Sequence, residues 1–368
     1  MPLKNKCLIA FFNTTSGRFK WWDEFPIEIR NQLASKGIDS YYFYKSKSDR
    51  SLYSKNDIFI NPELIGDGSL NDEKWLSENV WPIMERYQKV IIHTHSYYPP
   101  FKFRKLIRKH GKTTWVETIH RCPLSNDSRL LQFYKQILRR LKILPDWYIG
   151  VSNATTRYIA KTFGEANTLT IHNGIDLPKS ADRKNPGSSS ETAKKRYLFI
   201  NRLDKGKGVE ILVEALPVIL ERDSKFHLTI AGDGPLRYLV EQILQKMKAP
   251  NLCYVGHSSN VEGLYSTHDV LLMPYTRPQG LSLISLEARS YGLPAVYTAM
   301  GGVVETRDST NGVIMKNATA ASLVEAVLQV DTATNISNLI AGCYEGLDYY
   351  GIQRMATEYC DFYGDLWG

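Results

Sequence analysis

The amino-acid sequence predicts an α/β protein made of two doubly wound domains, each with a mostly parallel sheet between layers of helices. Its 368 residues exceed the size of one typical hydrophobic core and suit two domains of ordinary size. Short runs of β-branched or aromatic residues alternate with helical patterns in both halves, and a polar stretch without apolar periodicity separates them. Since strands that alternate with helices form parallel sheets covered on both faces, each half is expected to fold as its own layered domain.

The first domain, residues 1–178, contains six predicted strands. They are short runs rich in the β-branched and aromatic residues that fit a buried pleated surface. The strands are CLIAFF (7–12), SYYFYK (40–45), KVIIHTH (89–95), TTWVETIH (113–120), WYIGVS (147–152) and TLTIHN (168–173), with helical patterns at 24–36, 101–109 and 153–162.

The segment KSADRKNPGSSSETAKKR (179–196) is rich in Ser, Lys and Pro and is predicted to be a linker or an exposed loop. The alternation restarts in the second domain, residues 197–350. Its predicted strands are 197–203, 226–232, 252–256, 269–275 and 295–299, and its predicted helices are 208–221, 235–247 and 281–291. Two such domains joined by a linker are expected to bind a ligand in the cleft between them, near the carboxyl ends of the strands.

The composition, with 43% hydrophobic and 23% charged residues, is that of a soluble globular protein. No apolar run reaches the roughly 18 residues needed to cross a bilayer. The five cysteines lie far apart and form no CxxC pair, which argues against a zinc site and against a disulfide framework. We therefore expect a cytoplasmic protein.

The formal net charge of +8 implies an acidic partner, and much of the excess lies in two runs, 102–112 and 131–142. Each run has the pattern of a solvated helix face. In the second run, however, apolar and basic residues also alternate at near-helical spacing, which fits a helix lying on anionic lipid. Nucleic acid is not expected as a partner, because no nucleic-acid-binding motif accompanies the charge.

Two glycine-containing turns follow predicted strands of the second domain. In NRLDKGKG, Arg202 follows a strand, Lys207 comes five residues later, and the next residue opens an amphipathic helix. Two cations beside a helix start suit a diphosphate, although a surface turn with solvated charges has the same pattern. In AGDGPLR, Gly232 lets the backbone approach a ligand closely, and an ordinary strand–helix turn is the alternative.

A third candidate is the stretch RPQGLSLISLEARSYGLP, residues 277–294. Gly280 precedes a predicted helix whose free N-terminal amides, near Leu281, Ser282 and Leu283, could hold phosphate oxygens. Glu287 falls about two turns further on, within reach of a pair of sugar hydroxyls. The alternative for Glu287 is a surface carboxylate paired with Arg289 or another cation.

The sequence HTH at the end of a predicted strand places His93 and His95 on the same side of the sheet, so a metal site is geometrically possible. No third ligand is evident, and we expect no metal. The interpretation favoured here is that His95 lines the cleft and helps to bind acceptor or donor, while His93 is packed in the interior.

Five motifs of the second half occur in one order with one spacing: NRLDKGKG, AGDGP, YVGH, YSTHDVLLMP and QGLSLISLEARSYGLP. In this half the chain closely resembles the family 4 retaining glycosyltransferases of the GT-B fold, through AMGGVVETRDSTNGVIM (299–315). The first half matches more loosely, in VIIHTH, TIHR, WYIGVSNAT and TLTIHNGID. The resemblance implies an acceptor-binding and a donor-binding Rossmann-like domain, facing each other across a cleft. The last segment, 351–368, looks like the family's final helix, which crosses back onto the first domain.

The resemblance also implies roles for single residues. Arg202 and Lys207 match the pair that holds the donor diphosphate and stabilises the leaving group. Glu287 matches the glutamate that accepts hydrogen bonds from the ribose hydroxyls, and His120 matches a histidine near the donor sugar. Gly17, in TTSGR, occupies the place of the family's N-terminal glycine-rich loop, where a pair of glycines is usual.

Gln279 departs from the family pattern, which has a glutamate in contact with the donor sugar. A glutamine keeps an acceptor oxygen but adds two donors and removes the charge. Hydroxyl contacts can survive this change, whereas charge stabilisation of the developing oxocarbenium ion cannot. Altered donor choice, slower chemistry, or binding without transfer would each explain the substitution, and we favour altered donor choice because the diphosphate residues and Glu287 are present.

The resulting expectation is a retaining, metal-independent hexosyltransferase without a cofactor. Its donor would be a UDP- or GDP-sugar. Its acceptor would be a saccharide or lipid-linked saccharide of cell-surface polysaccharide or glycolipid synthesis, reached from the inner face of the membrane. Gln279 keeps a second hypothesis open, a non-catalytic nucleotide-sugar-binding protein or partner subunit. A nucleotide-sugar epimerase on the same fold is the third.

Overall fold

The computed structural model divides the chain into two compact units, one of residues 1–174 with 352–368 and the other of residues 175–351. The boundary falls a few residues before the predicted position 178. The structure describes residues 4–13, 20–44, 57–59, 77–78, 80–95, 113–122, 144–163, 167–179, 183–184, 195–223, 225–332 and 336–367. Most of the predicted linker, the helix at 101–109, Gly17 and the basic runs 102–112 and 131–142 lie outside these ranges.

The first unit is built on a seven-stranded parallel sheet with the strand order β3-β2-β1-β4-β5-β6-β7. The strands are β1 (Lys4–Asn13), β2 (Asp39–Tyr44), β3 (Asp57–Phe59), β4 (Tyr87–His95), β5 (Thr113–Ile119), β6 (Trp147–Gly150) and β7 (Thr168–Thr170). The helices described before the second unit are α1 (Lys20–Ser35), α2 (Trp81–Met84) and α3 (Asn153–Phe163). Every residue of β4 from Val90 to His95 is buried, as expected for a central strand covered on both faces.

The second unit is built on a six-stranded sheet with the strand order β10-β9-β8-β11-β12-β13 and parallel pairing throughout. The strands are β8 (Arg196–Ile200), β9 (His227–Ala231), β10 (Leu252–Gly256), β11 (Val270–Met273), β12 (Ala295–Thr298) and β13 (Gly312–Met315). The helices are α4 (Val209–Arg222), α5 (Arg237–Met247), α6 (Val261–Thr267), α7 (Leu283–Ser290), α8 (Ala320–Thr332) and α9 (Ile336–Tyr344).

Alternate residues of a central strand enter different apolar cores in this second unit. On β8, Tyr197 and Phe199 belong to one core cluster, whereas Leu198 belongs to the other. Since successive side chains of a strand point to opposite faces, both faces of the sheet are covered. The predicted doubly wound fold is therefore confirmed, although β3 and β13 were not predicted as strands.

The last helix, α10 (Ile352–Trp367), belongs to the first unit and packs against α1. Cys360 is buried, while the polar residues Lys36 and Asp361 form an exposed ion pair of 2.8 Å beside it. The predicted final segment, 351–368, thus forms a helix within the first unit. Within the described ranges, no helix is both long and apolar enough to span a bilayer.

Candidate functional site

The first two motifs of the second unit form turns at the carboxyl ends of the neighbouring strands β8 and β9. The Leu203 amide donates to the Asp233 carbonyl at 2.9 Å, and the Asn201 amide donates to the Ala231 carbonyl at 3.1 Å. Gly232 has φ of 127°, and a Cβ there would lie 1.8 Å from the Asn201 carbonyl oxygen. Gly232 is therefore needed for the two turns to lie against each other. This agrees with the alternative interpretation of the motif as an ordinary strand–helix turn.

Lys207 lies where the first turn meets α4. Gly208, with φ of 85°, is the N-cap of this helix, and a Cβ there would lie 2.0 Å from the Pro274 carbonyl oxygen. The Lys207 ammonium donates to the Gln279 side-chain oxygen at 2.7 Å and lies 5.4 Å from the centre of the Tyr275 ring. The close approach of the backbone at Gly208 to Pro274 thus brings the Lys207 ammonium to Gln279, in the stretch 277–294.

Gln279 is held through its side chain and its backbone. Its Oε1 accepts from Lys207, and its Nε2 donates to the Arg277 carbonyl at 2.8 Å. Its own carbonyl accepts from the Gly302 amide at 2.9 Å, and its backbone forms a bridge with Gly301. The donor on one side, Lys207, and the acceptor on the other, the Arg277 carbonyl, fix which end of the amide faces Lys207.

The predicted helix start after Gln279 is present. Gly280, Leu281 and Ser282 are buried, and α7 begins at Leu283. Ser282 caps the helix, because its hydroxyl accepts from the Ser285 amide at 3.3 Å. The first amides of a helix have no intrahelical acceptor, so this end carries partial positive charge.

Arg202 is exposed and forms an ion pair with Asp204, with Nε 3.2 Å from the carboxylate. An exposed pair of this kind contributes little to stability, so the guanidinium can exchange Asp204 for another anion at low cost. The Arg202 amide donates to the Asn201 side-chain oxygen at 3.1 Å. Arg202 therefore lies in the turn that also contains Asn201 and Lys207.

Glu287 accepts a hydrogen bond of 2.9 Å from the hydroxyl of Tyr265, which is 1% exposed. Burial and the neighbouring Glu287 charge hold the pKa of Tyr265 well above its ordinary value, so Tyr265 remains a donor. Arg289, the alternative partner, is buried and donates to the carbonyls of Cys343, Thr306 and Glu345 instead. Pairing with Arg289 therefore does not explain Glu287.

Three histidines of the first unit cluster at the ends of β4 and β5. His95 Nδ1 lies 3.0 Å from His120 Nε2, and the His93 and His95 rings stack with centres 4.3 Å apart. His93 is fully buried between Tyr363 of α10, at 2.5 Å, and Thr118, at 2.8 Å. These contacts account for His93 as a packed residue and bring His95 and His120 together.

Burial keeps this histidine cluster neutral. It lowers the pKa of His95 to about 3 and lowers the pKa values of His93 and His120 well below the ordinary value. The neighbouring histidines lower the last two pKa values further, because each would carry charge of the same sign. Within the described ranges, no group of three or more His, Cys, Asp or Glu residues could hold a metal ion.

Three residues that connect the predicted ones were not predicted from the sequence: Asn201, Tyr265 and Tyr275. Tyr275 ends the run DVLLMPY, whose apolar character predicts a strand and says nothing about a hydroxyl. Its hydroxyl accepts from the Asn201 side-chain amide at 3.1 Å and lies 3.2 Å from the Ser282 hydroxyl. The only signal available was that a buried tyrosine usually finds a hydrogen-bond partner.

Comparison with known proteins gives two family matches. The family described as Glycosyltransferase Family 4 matches residues 26–179, and the family described as Glycosyl transferases group 1 matches residues 194–332. An uncharacterized glycosyltransferase of Methanocaldococcus jannaschii is 26% identical over 61% of this chain and 61% of its own length. The chain thus spans about three fifths of this curated relative.

Solved structures are similar over nearly the whole chain. A glycosyltransferase from Rickettsia africae superposes with a TM-score of 0.76 at 17% identity, covering 98% of this chain and 99% of its own. The Anabaena protein HepE, in complex with UDP and glucose, superposes with a TM-score of 0.71 at 15% identity, covering 97% and 99%. At these identities the likeness shows the fold.

The two doubly wound units and the turns at their strand ends define an α/β protein of the GT-B fold. Both family matches agree with the resemblance stated from the motifs. The chain belongs to glycosyltransferase family 4.

Proposed function

We propose that this chain is a glycosyltransferase that moves a sugar from a nucleotide diphosphate sugar to an acceptor hydroxyl. One observation carries the proposal. The ammonium of Lys207, the amide of Gln279 and the capped start of α7 lie together at the carboxyl edge of the second sheet. A cation beside a helix N-terminus suits a diphosphate. The complex of the similar HepE protein with UDP and glucose supports a nucleotide sugar as donor. As its nucleotide we propose UDP, or GDP, because a similar mannosyltransferase of Mycobacterium tuberculosis depends on GDP-mannose.

In the proposed reaction the bond between the sugar and the diphosphate breaks, and the acceptor oxygen bonds to the sugar carbon. Lys207 and Arg202 stabilise the charge that develops on the leaving diphosphate, so no metal ion is required. We further propose retention of the anomeric configuration, with the leaving phosphate accepting the proton of the acceptor hydroxyl. Proton NMR of the product anomer would test this: an inverted product would exclude the proposed course.

Gln279 supports altered donor choice. A neutral amide does not compete with phosphate for Lys207 as a carboxylate at that contact would, and it cannot stabilise a developing oxocarbenium ion as a carboxylate would. The same amide is the observation that favours the second candidate function, a nucleotide-sugar-binding protein without transfer. Release of free nucleotide in step with glycosylated product would exclude that alternative.

For the acceptor we propose a saccharide or a lipid-linked saccharide of cell-surface polymer or glycolipid synthesis. His95 and His120 are the candidate residues for sugar hydroxyls in the first unit, since neutral imidazoles can donate and accept. The basic runs 102–112 and 131–142 motivate a peripheral position on anionic lipid at the inner face of the membrane. Flotation with liposomes tests this: equal binding to neutral and anionic vesicles would remove the basis for it.

The decisive experiment combines binding and turnover. The purified chain is melted with UDP, GDP, ADP, dTDP and CMP and with their common sugar conjugates, because a ligand of the folded state raises the melting temperature. We expect one nucleotide to stand out, and Arg202→Ala and Lys207→Ala to reduce its shift. The responding conjugate is then incubated with saccharide acceptors. No shift at millimolar concentration with any nucleotide would overturn the proposed donor site.

A further inference from the structure

Tyr275 lies at the point where the elements of the proposed donor site meet. Tyr275 lies two residues after the end of β11 and is 1% exposed. Its ring faces the ammonium of Lys207. Its backbone is fixed as well, since its carbonyl accepts from the Thr298 hydroxyl at 2.7 Å. The side chain therefore has one position, and its hydroxyl lies between Asn201 of the first turn and Ser282 at the start of α7.

The Tyr275 and Ser282 hydroxyls can donate to each other in either direction, and the burial of the Tyr275 hydroxyl decides between the two. The Arg202 amide must donate, so the Asn201 oxygen accepts from it and the Asn201 side-chain N–H donates to Tyr275. The Ser282 oxygen at 3.2 Å is then the remaining acceptor for the proton of Tyr275 among the described residues, and the reverse direction would leave that buried proton without an acceptor. Burial raises the pKa of Tyr275, so this proton is retained at neutral pH.

Ser282 is the end of this chain of hydrogen bonds. Its oxygen accepts from Tyr275 and from the Ser285 amide, which fills both of its acceptor positions. With Tyr275 as the donor of their shared hydrogen bond, the Ser282 proton has no acceptor among the residues that the structure describes. Ser282 is 8% exposed. The hydroxyl is thus arranged as a donor at the helix end where an anion is expected.

We propose that Ser282 donates its hydroxyl proton to a phosphate oxygen of the donor nucleotide, and that Tyr275 is the positioning residue that directs this proton. The inference rests on the proposed function and deepens it, because it adds a side-chain donor to the phosphate site. It also gives the Tyr275 hydroxyl a role in ligand binding, although the residue belongs to an apolar core cluster.

The test compares the full chain with Ser282→Ala and Tyr275→Phe by calorimetric titration with UDP and uridine, and with GDP and guanosine. A hydrogen bond to a charged group corresponds to roughly a ten- to hundredfold change in affinity. We expect Ser282→Ala to weaken the diphosphate by about that factor and Tyr275→Phe by a smaller one. Nucleoside affinity should not change, because nucleosides lack the phosphate; general damage to the fold would weaken both ligands.

The double variant separates positioning from packing. If Tyr275 acts through Ser282, then Tyr275→Phe should add little to Ser282→Ala, whereas independent effects would multiply. Tyr297→Phe is the matched control. Tyr297 is fully buried in the same core cluster as Tyr275, and its hydroxyl has no hydrogen-bond partner among the described residues, so its removal should leave UDP and GDP affinity unchanged.

Each outcome has a distinct meaning. If the wild-type chain binds neither UDP nor GDP and none of the other nucleotides raises its melting temperature, the proposed function fails and this inference fails with it. If the wild-type chain binds one of them and Ser282→Ala binds it equally well, the inference is overturned while the proposed function stands. Should Tyr275→Phe not fold, Ser282→Ala by itself decides whether the hydroxyl meets a phosphate.

Discussion

At the scale of single residues, the contact between Lys207 and Gln279 sets the charge of the proposed donor site. An ammonium paired with an amide keeps its full charge, whereas an ammonium paired with a carboxylate is largely neutralised. The glutamine at position 279 therefore changes two things. It changes the group expected to face the donor sugar, and it changes the partner of Lys207. It gives Lys207 a neutral acceptor at that contact in place of a carboxylate.

Gln279→Glu is expected to weaken UDP or GDP binding roughly tenfold, because the new carboxylate would neutralise Lys207 and would face the Arg277 carbonyl without a proton to donate. Titration calorimetry at low salt measures this change. Gln245→Glu, on the exposed face of α5, introduces the same charge elsewhere and should bind like wild type. Equal or tighter binding by Gln279→Glu would contradict this account of the site.

Glu287 is expected to recognise the ribose, with Tyr265 orienting its carboxylate. Wild type should then prefer UDP over 2′-deoxy-UDP by roughly tenfold, the contribution of one hydrogen bond to a charged group. Glu287→Ala should bind both ligands with similar, lower affinity. A preference for UDP that survives in Glu287→Ala would place the ribose elsewhere.

At the scale of elements, glycines decide how closely the turns and helices of the second unit approach each other. Gly208 begins α4 with a left-handed backbone and touches Pro274, and Gly232 touches Asn201 in the neighbouring turn. These contacts hold Lys207 and Asn201 near the start of α7. The structural and functional interpretations of the glycine motifs are thus compatible, because close packing positions the polar groups.

Gly208→Ala is expected to destabilise the second unit by roughly 3 kcal/mol or more, from the left-handed backbone and the clash with Pro274 together. Gly346→Ala is the matched control. Gly346 also has a positive φ, 65°, but a Cβ there meets nothing within 4 Å, so only about 1–2 kcal/mol is expected. Urea unfolding followed by circular dichroism measures both; equal losses would show that the contact with Pro274 is unimportant.

At the scale of the whole molecule, the tryptophans allow the two units to be followed separately. All seven tryptophans lie in residues of the first unit, including buried Trp115, and none lies in residues 175–351. Tryptophan fluorescence therefore reports unfolding of the first unit in the full chain, whereas circular dichroism reports both units.

The first unit is expected to lose stability as the pH falls below about 6.5. The histidine cluster has folded-state pKa values below the unfolded value, so the unfolded state binds more protons and acid favours it. Each histidine contributes at most about 1.4 kcal/mol per pH unit between the two values. Urea midpoints of tryptophan fluorescence at pH 7.5, 6.5 and 5.5 measure the slope, and His95→Gln should reduce it.

A midpoint that is independent of pH from 7.5 to 5.5 would contradict the neutral histidine cluster. The second unit offers an internal comparison, since the three clustered histidines belong to the first unit, whereas in the second unit burial lowers the pKa of His268, which lies outside that cluster. The transition of the second unit, taken as the part of the circular-dichroism change that tryptophan fluorescence does not report, should depend less on pH than that of the first unit.

Much of the fold follows from local patterns. The helix predicted at 208–221 is observed at Val209–Arg222, and the strand predicted at 252–256 is observed as Leu252–Gly256. The two strands that were not predicted are short: β3 spans three residues and β13 spans four. Such strands are specified by the neighbours with which they pair rather than by their own periodicity.

By itself, the sequence determined the two doubly wound domains and the family, and it predicted Arg202, Lys207 and Glu287 as site residues. Hydrophobic periodicity and motif spacing are properties of short stretches, which is why they can be read without a structure. Only the tertiary structure decided that Lys207 meets Gln279, 72 residues away, that Tyr275 joins Asn201 to Ser282, and that α10 brings Tyr363 to His93, 270 residues away. A hydrogen bond needs two atoms within about 3 Å, and only the packing of distant elements sets that distance.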